Sequence, residues 1–237
     1  MRVLRKTGSH LRNQAWKNLA LAILSTLVLG VAFLPIIPKL VLLEIGTIEE
    51  AQLAVSLTAL VAFYVYLRRY RSYKGGLQGE KQVANLLKST LSDNYILLND
   101  VFFRDGFGDI DHIVLGPSGL FVIETKNWSG RITCHGDDWQ RQNRRNNAGS
   151  PSRQVKKNAI RVRNVIEASD KLGHIRIWVE GIVVLANQNV ELHIHEPTIP
   201  VLKLRELPDH IASHRSNHIF SPQQLELMSK EILKQTR

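Results

Sequence analysis

The sequence predicts an α/β domain with a mixed sheet, preceded by two membrane-spanning helices. Three observations support this fold class. Two long stretches without a charged residue lie near the start of the chain. The remainder alternates helical and strand-like periodicity in the order α-β-β-β-α-β. Within it, the stretch from Gly108 to Gly130 reads as two β-rich segments joined by a Gly-Pro-Ser-Gly turn.

Each uncharged stretch is long enough to cross a bilayer. The first, between Lys17 and Lys39, has 21 residues, and the second, between Glu50 and Arg68, has 17, where about 17 to 25 are needed. A pair of buried core helices is one alternative, although neither stretch shows a polar stripe. A cleaved signal peptide is another, although no clear cleavage site follows. The predicted contacts with the lipid bilayer are residues 18–37 and 51–67.

Charge asymmetry predicts the orientation of this two-helix transmembrane hairpin, residues 18–69. Residues 1–17 form a basic leader, and four basic residues follow the second span, whereas the connector carries three Glu and one Lys. The positive-inside rule then places both termini in the cytoplasm and Glu44 outside. We therefore predict a multi-pass protein of the cell inner or plasma membrane. Residues 70–78, which include two consecutive glycines, predict a linker.

The composition of the chain indicates an anionic binding partner but does not identify it. The formal net charge is +10 and the sequence pI is about 9.9, which favours nucleic acid or anionic lipid. The single cysteine, Cys134, excludes an internal disulfide. No Cys/His cluster shows zinc spacing, and we interpret His193 and His195 as surface or packing residues. Neither a Gly-rich phosphate loop nor a persuasive Ser/His/Asp motif is present.

The predicted hairpin places four polar side chains on one face. If the Gly-Pro-Ser-Gly segment is the loop, the register sets Asp111 directly opposite Glu124 and Asp109 opposite Lys126. Two opposed carboxylates destabilise a sheet, and a divalent cation removes that cost. Mg²⁺ accepts one or two carboxylates and keeps several waters. The alternative is a surface hairpin in which Asp109 and Lys126 form a solvated ion pair.

The pattern Asp-x₁₂-Glu-x-Lys resembles the core of the PD-(D/E)xK nuclease superfamily. The longer stretch DIDHIVLGPSGLFVIETKNWSG resembles the nuclease-related domain, NERD. The resemblance runs from about Gly79 to about Leu185 and implies a restriction-endonuclease-like α-β-β-β-α-β core. It includes the segments GLQGE at residues 76–80, LLNDV at 97–101 and SPSRQ at 150–154. We accordingly predict a NERD-like domain at 79–190 and a C-terminal extension at 191–237 that packs on it.

The resemblance implies roles for five residues. Asp111 and Glu124 would bind Mg²⁺ or Mn²⁺, and Lys126 would orient or deprotonate the attacking water. Glu80 would supply a third carboxylate, although a Glu in the first turn of a helix also stabilises the helix dipole. Gln154, in the first turn of a later helix that Ser150 caps, would position substrate or water.

Basic and aromatic residues near this helix are candidates for contact with nucleic acid. Lys and Arg bind phosphates without reading sequence, and a Trp can stack on a base. The alternative is a solvated helix face beside a packing tryptophan. The candidate nucleic-acid-binding residues are Arg144, Arg145, Arg153, Lys156, Lys157 and Trp128.

These features predict a membrane-anchored, Mg²⁺- or Mn²⁺-dependent nuclease that acts on DNA or RNA at the cytoplasmic face. Two alternatives stay open. The same fold could serve as a non-catalytic module that docks nucleic acid or protein at the membrane, or as an inert scaffold on an anchor. The intact Asp111, Glu124 and Lys126 favour the enzyme.

Overall fold

A computed structural model describes residues 1–5, 7–42, 46–104, 106, 108–142, 149–172 and 175–236. The chain forms two compact units: Met1–Ser9 with Gly76–Arg237, and His10–Gly75. The helices are α1 (Ser9–Phe33), α2 (Ile36–Val41), α3 (Thr47–Thr90), α4 (Pro151–Glu167), α5 (Leu207–Ser213) and α6 (Pro222–Lys234), with a 3₁₀ turn at Leu204–Glu206. The strands are β1 (Arg2–Arg5), β2 (Ile96–Phe102), β3 (Asp109–Gly116), β4 (Gly119–Lys126), β5 (Gly130–His135), β6 (Asp138–Arg141), β7 (Val179–Leu185), β8 (Val190–His195) and β9 (Val201–Lys203).

The smaller unit presents apolar side chains outward. The helices α1 and α3 each contain a window long and apolar enough to cross a membrane, and 11% of each window is buried. The buried positions in this unit include small residues, which let helices approach closely in a bilayer. The hydroxyls of Ser25 and Ser56 donate to the carbonyls of Leu21 and Gln52 in their own helices, as an apolar environment requires. The small buried residues are Ala15, Ala22, Ser25, Ser56 and Ala59.

The larger unit is built on a mixed sheet in the order β1-β2-β3-β4-β7-β9. Its centre is antiparallel, from β2 through β3 to β4, whereas β1, β7 and β9 each run parallel to a neighbour. A smaller sheet, β6-β5-β8, lies beside it. Mixed pairing of this kind follows from a hairpin whose second strand is joined through a helix, α4, to a parallel strand. The predicted α/β class with a mixed sheet is confirmed.

Two apolar cores cover the faces of the main sheet. On one face, α4, α6 and the smaller sheet pack against alternating residues of β3 and β4, with Val155, Val162 and Ile232 fully buried. On the other face, the end of α3 and helix α5 pack through Val83, Leu87 and Ile211. Val83 and Leu87 lie about one helical turn apart on the same face of α3, which explains why this end of the helix packs against the sheet.

The predicted basic leader, residues 1–17, is not a separate segment, because its first residues belong to the larger unit. Arg2–Arg5 forms β1, parallel to β2, and the side-chain amide of Asn99 donates to the carbonyl of Arg5 at 2.9 Å. The Met1 side chain is buried in the core between α3 and the sheet. The edge of β2 offers unpaired backbone groups, and β1 satisfies them.

The predicted linker at residues 70–78 contains the boundary between the two units, at Gly75 and Gly76, but its residues are helical within α3. Glycine lowers the intrinsic stability of a helix by about 1 kcal/mol without forbidding it. Other differences are additions: the polar stretch after the hairpin forms β5 and β6. The predicted C-terminal extension contains α5 and α6. Ser150 caps α4, as predicted, by accepting the Arg153 N–H at 3.2 Å.

Candidate active site at the open end of the hairpin

The predicted register of the β3–β4 hairpin is confirmed over the residues that pair. Leu115 lies opposite Leu120, and the ladder continues to His112 opposite Ile123. It stops there, so Asp111 and Glu124 are not a ladder pair, and Asp109 is paired with Phe102 of β2 rather than with Lys126. The prediction of directly opposed pairs beyond His112 is therefore corrected: the two strands separate at the position of the carboxylates.

Asp111 itself accounts for the separation. Its Oδ2 accepts the backbone N–H of Thr125 at 2.6 Å, so a side chain occupies the place of a ladder carbonyl. On its other side the β2–β3 ladder also skips Asp100, whose φ is +53°. A non-glycine residue rarely adopts a positive φ, and such strain concentrates at functional sites. The sheet is thus interrupted on both sides of Asp111.

Glu124 and Lys126 share a face of β4 and are hydrogen-bonded. Lys126 Nζ donates to Glu124 Oε1 at 2.6 Å, with the Glu124 side chain 3% and the Lys126 side chain 22% exposed. Alternation along the strands puts both on the same side as Val122, and Asp111 on that side of β3. The predicted clustering of these groups on one face is therefore found at the end of the hairpin.

The charges of this cluster shift one another's pKa values. Burial, then the Glu124 and Glu80 carboxylates, raise the pKa of Asp111 well above its ordinary range. Burial raises the pKa of Glu124, although the neighbouring Lys126 opposes it. Burial disfavours the charged form of Lys126, but Glu124 and Asp111 outweigh it and raise the pKa of the ammonium. The site is a cluster of buried carboxyl groups with raised pKa values beside one protonated lysine.

Glu80 belongs to the same cluster. It is buried near the end of α3, and burial, then Asp109 and Asp100, raise its pKa to about 8. The preceding Gly79 explains how the helix comes so close, because a Cβ there would lie 2.9 Å from Asn127 Cβ and 3.4 Å from Ala186 Cβ. A side chain at position 79 would push the helix, and Glu80 with it, away from the end of β4.

Sequence reasoning missed Asp100, and it gave Asp109 no role at the site. Both carboxylates raise the pKa of Glu80, so they lie in the same electrostatic environment. Asp100 Oδ2 accepts hydrogen bonds from the backbone N–H, at 2.8 Å, and the hydroxyl of Ser9. The signal that could have found Asp100 is an acidic residue inside an otherwise apolar strand, LLNDVF.

The segment that contains these residues matches a family of known proteins. Residues 75–186 match the nuclease-related domain, NERD. The resemblance inferred from the sequence is confirmed, with the match beginning four residues before Gly79. It contains every carboxylate of the cluster together with Lys126.

A similar protein adds little to this match, because its function is not described. An uncharacterized protein of Bacillus anthracis is 42% identical over 60 residues, which are 24% of this chain and 28% of that protein. The alignment thus spans under a third of the relative's length. No solved structure matches the chain.

Gln154, in the first turn of α4, is the remaining residue with a predicted role at the site. Its side chain is exposed, and its backbone N–H donates to the carbonyl of Ser150 at 3.0 Å. Within the described part of the chain it makes no hydrogen bond to Asp111, Glu124 or Lys126. Its role in positioning substrate or water stays a prediction.

Two of the predicted nucleic-acid-binding residues are engaged in ion pairs. Lys156 Nζ contacts Asp137 Oδ2 at 2.6 Å, and Arg153 contacts Asp138 at 3.3 Å. These pairs join the β5–β6 turn to the start of α4, and the Lys156 hydrogen bond is the main reason that the pKa of Asp137 is lowered to about 2. Lys157 is exposed. Arg144 and Arg145 lie outside the described residues.

Trp128 lies between the site and the smaller sheet. Its ring packs edge-on against Trp139 at 6.1 Å, with Arg141 at 4.7 Å and Lys126 Nζ at 6.0 Å from its centroid. Trp139 is anchored by donating its indole N–H to Ser152 at 3.0 Å. Trp128 is only partly buried, so it supports Lys126 through packing and retains an accessible surface beside the carboxylates.

Proposed function

We propose that this chain is a membrane-anchored, divalent-metal-dependent nuclease that hydrolyses phosphodiester bonds of DNA or RNA. One observation carries the proposal: Asp111, Glu124 and Lys126 come together on one face, where the hairpin of a nuclease-related domain opens. The central antiparallel hairpin followed by α4 and the parallel strand β7 is consistent with the restriction-endonuclease-like core that the resemblance implies.

The carboxylates fit a hard divalent cation. Asp111 uses Oδ2 for the Thr125 N–H, and Glu124 uses Oε1 for Lys126, so each has a second oxygen without a hydrogen-bond partner among the described residues. Burial, and then repulsion by Glu124 and Glu80, raise the pKa of Asp111, and a bound cation would offset both costs of ionising it. Mg²⁺ or Mn²⁺ is therefore the proposed cofactor, held by Asp111 and Glu124.

The bound cation would supply Lewis-acid stabilisation of charge at the phosphate and a more acidic water. Lys126 keeps its proton in this environment because the two carboxylates raise its pKa. Of the two roles predicted for it, orienting water or phosphate by donating a hydrogen bond is therefore favoured over deprotonating the water. Glu80 adds a third carboxylate on the side of Asp109.

A cleavage assay of the full chain in detergent tests the proposal. The full chain is needed because a fragment that begins after the apolar helices would lack β1 and the Ser9 contact to Asp100. Linear, circular and single-stranded DNA, and RNA, would be incubated with Mg²⁺, Mn²⁺ or EDTA. We expect cleavage in the presence of Mg²⁺ or Mn²⁺ and none in EDTA. Binding of nucleic acid without cleavage under any of these conditions would instead support the docking module.

We further propose that α1 and α3 anchor the protein as a hairpin with both termini in the cytoplasm. The charge asymmetry of the sequence and the outward-facing apolar side chains support this orientation. Glu44, near the predicted external point, lies outside the described residues.

Cysteine labelling tests the anchor, because Cys134, the single native cysteine, is buried. We expect Thr47→Cys to react with an impermeant maleimide in intact cells and Asn217→Cys to react only after lysis. Both positions are exposed in the structure. Labelling of Asn217→Cys in intact cells, or release of the chain from membranes by salt, would contradict the proposed anchor.

A further inference from the structure

A second cluster of metal-ligating side chains lies at the opposite end of the sheet from the carboxylates. Glu180 at the start of β7 pairs with Phe121, whereas Glu124 pairs further along with Val183. Phe121 and Glu124 are three residues apart on β4, which is about 10 Å along the strand. Glu180 also faces the α3–α5 side, with Phe121, whereas Glu124 faces the α4 side, with Val122. The two clusters are therefore independent.

Two imidazoles converge on one oxygen of Glu180. His210 Nε2 lies 3.2 Å and His214 Nδ1 lies 3.3 Å from Glu180 Oε2. The three candidate ligand atoms lie within 4.8 Å of one another. For Zn–N and Zn–O bonds of 2.0–2.2 Å, neighbouring ligands of a tetrahedral ion are separated by roughly 3.3–3.5 Å. The measured separations are thus close to those of a metal centre.

The fold fixes both imidazoles in place. His210 and His214 are four residues apart at the end of α5, and the His214 N–H donates to the His210 carbonyl at 3.1 Å. The His214 ring packs edge-on against Phe121 at 5.1 Å. Gly119 leaves room for that ring, because a Cβ there would lie 3.1 Å from His214 Cδ2. Preorganised ligands lose little entropy when an ion binds.

We propose that Glu180, His210 and His214 bind Zn²⁺, with water in the fourth position. Two imidazoles and one carboxylate suit a borderline transition ion better than Mg²⁺. The side chains are partly buried, with 16% of Glu180, 28% of His210 and 21% of His214 exposed, so an ion and a water can reach them. Sequence reasoning missed this site because Glu180 lies 30 residues before His210. A bound Zn²⁺ would tie α5 to the start of β7.

The same geometry also suits two neutral imidazoles that donate N–H groups to the carboxylate, so the test must separate the two states. The tag-free full chain in detergent would be titrated with Co²⁺, read by the visible absorption of a tetrahedral ion, and then with Zn²⁺ in competition. With excess Mg²⁺ present throughout, so that the proposed Asp111–Glu124 site is occupied, we expect one equivalent of Co²⁺ or Zn²⁺ to bind. We expect Glu180→Gln, His210→Ala and His214→Gln each to weaken binding by at least about a hundredfold, since loss of an outer-shell partner alone costs about 10- to 100-fold.

Matched controls keep the outcome clear. His193→Ala and His218→Ala remove other histidines that are partly or fully exposed and should leave Zn²⁺ affinity unchanged. Circular dichroism and the melting temperature without metal would show that each ligand variant is folded. If the parent binds no stoichiometric Zn²⁺ at micromolar concentration, or if folded Glu180→Gln binds it as the parent does, the cluster is only a hydrogen-bonded set.

Discussion

Asp111→Asn and Glu124→Gln are each expected to reduce metal-dependent cleavage by roughly a thousandfold or more, the equivalent of about 4 kcal/mol of lost stabilisation. Each should also abolish the stabilisation that Mg²⁺ gives the parent. At a concentration of 100 times its dissociation constant, a ligand stabilises the folded state by about 2.7 kcal/mol. For a domain of this size that corresponds to a rise in melting temperature of about 5–10 °C.

Lys126→Ala should separate binding from chemistry. Lys126 is not a proposed metal ligand, and its ammonium bonds only one oxygen of Glu124, so the rise in melting temperature with Mg²⁺ should persist while cleavage is lost. Asp170→Asn, which changes an exposed carboxylate away from the cluster, is the matched control and should retain both. If Asp111→Asn cleaved and responded to Mg²⁺ like Asp170→Asn, the assignment of the site would be wrong.

Without divalent metal, the protein should lose stability as the pH rises from 6.5 to 8. Burial, then Asp109 and Asp100, raise the pKa of Glu80 in the folded chain to about 8, well above its ordinary range. A raised carboxyl pKa stabilises the fold below the unfolded value, and that contribution is lost as the pH rises through the folded value. At about 1.36 kcal/mol per pH unit, one such proton costs about 2 kcal/mol over this window.

Between pH 6.5 and 8, the effect of the carboxyl groups on stability is largely separate from that of the buried His112. His112, buried beside Asn99, has a pKa lowered to about 3 and disfavours folding only as the pH falls below its unfolded value of about 6.5. Thermal melts in EDTA should therefore show a fall of several degrees for the parent, and Glu80→Gln should flatten it, whereas Asp170→Asn should not. A parent whose melting temperature rose across this window in EDTA would contradict a buried, protonated Glu80.

The hairpin could be predicted from the sequence because its information is local. A Gly-Pro-Ser-Gly turn between alternating apolar residues fixes the register, and the register fixes which faces Asp111, Glu124 and Lys126 occupy. The break in pairing at Asp111 could not be predicted, because it depends on a side chain that bonds the Thr125 N–H across the strands.

Long-range pairing accounts for most of what the sequence did not reveal. β1 pairs with a strand some 90 residues later, and a parallel pairing of that kind leaves no local pattern. The same is true of Asp100 and Ser9, and of Glu180 with its two histidines. Basic residues such as Lys156 suggested a nucleic-acid surface, but their acidic partner, Asp137, becomes evident only once the β5–β6 turn is placed beside α4.

Titration calorimetry of Mg²⁺ or Mn²⁺ into the full chain, with nucleic acid present, shows whether Asp111 and Glu124 bind a divalent cation. We expect saturable binding at millimolar concentration or below, and its loss in both Asp111→Asn and Glu124→Gln but not in Lys126→Ala or Asp170→Asn. Absence of divalent-cation binding to the parent at millimolar concentration would contradict the metal-dependent nuclease, and the docking module would then be the better account of this domain.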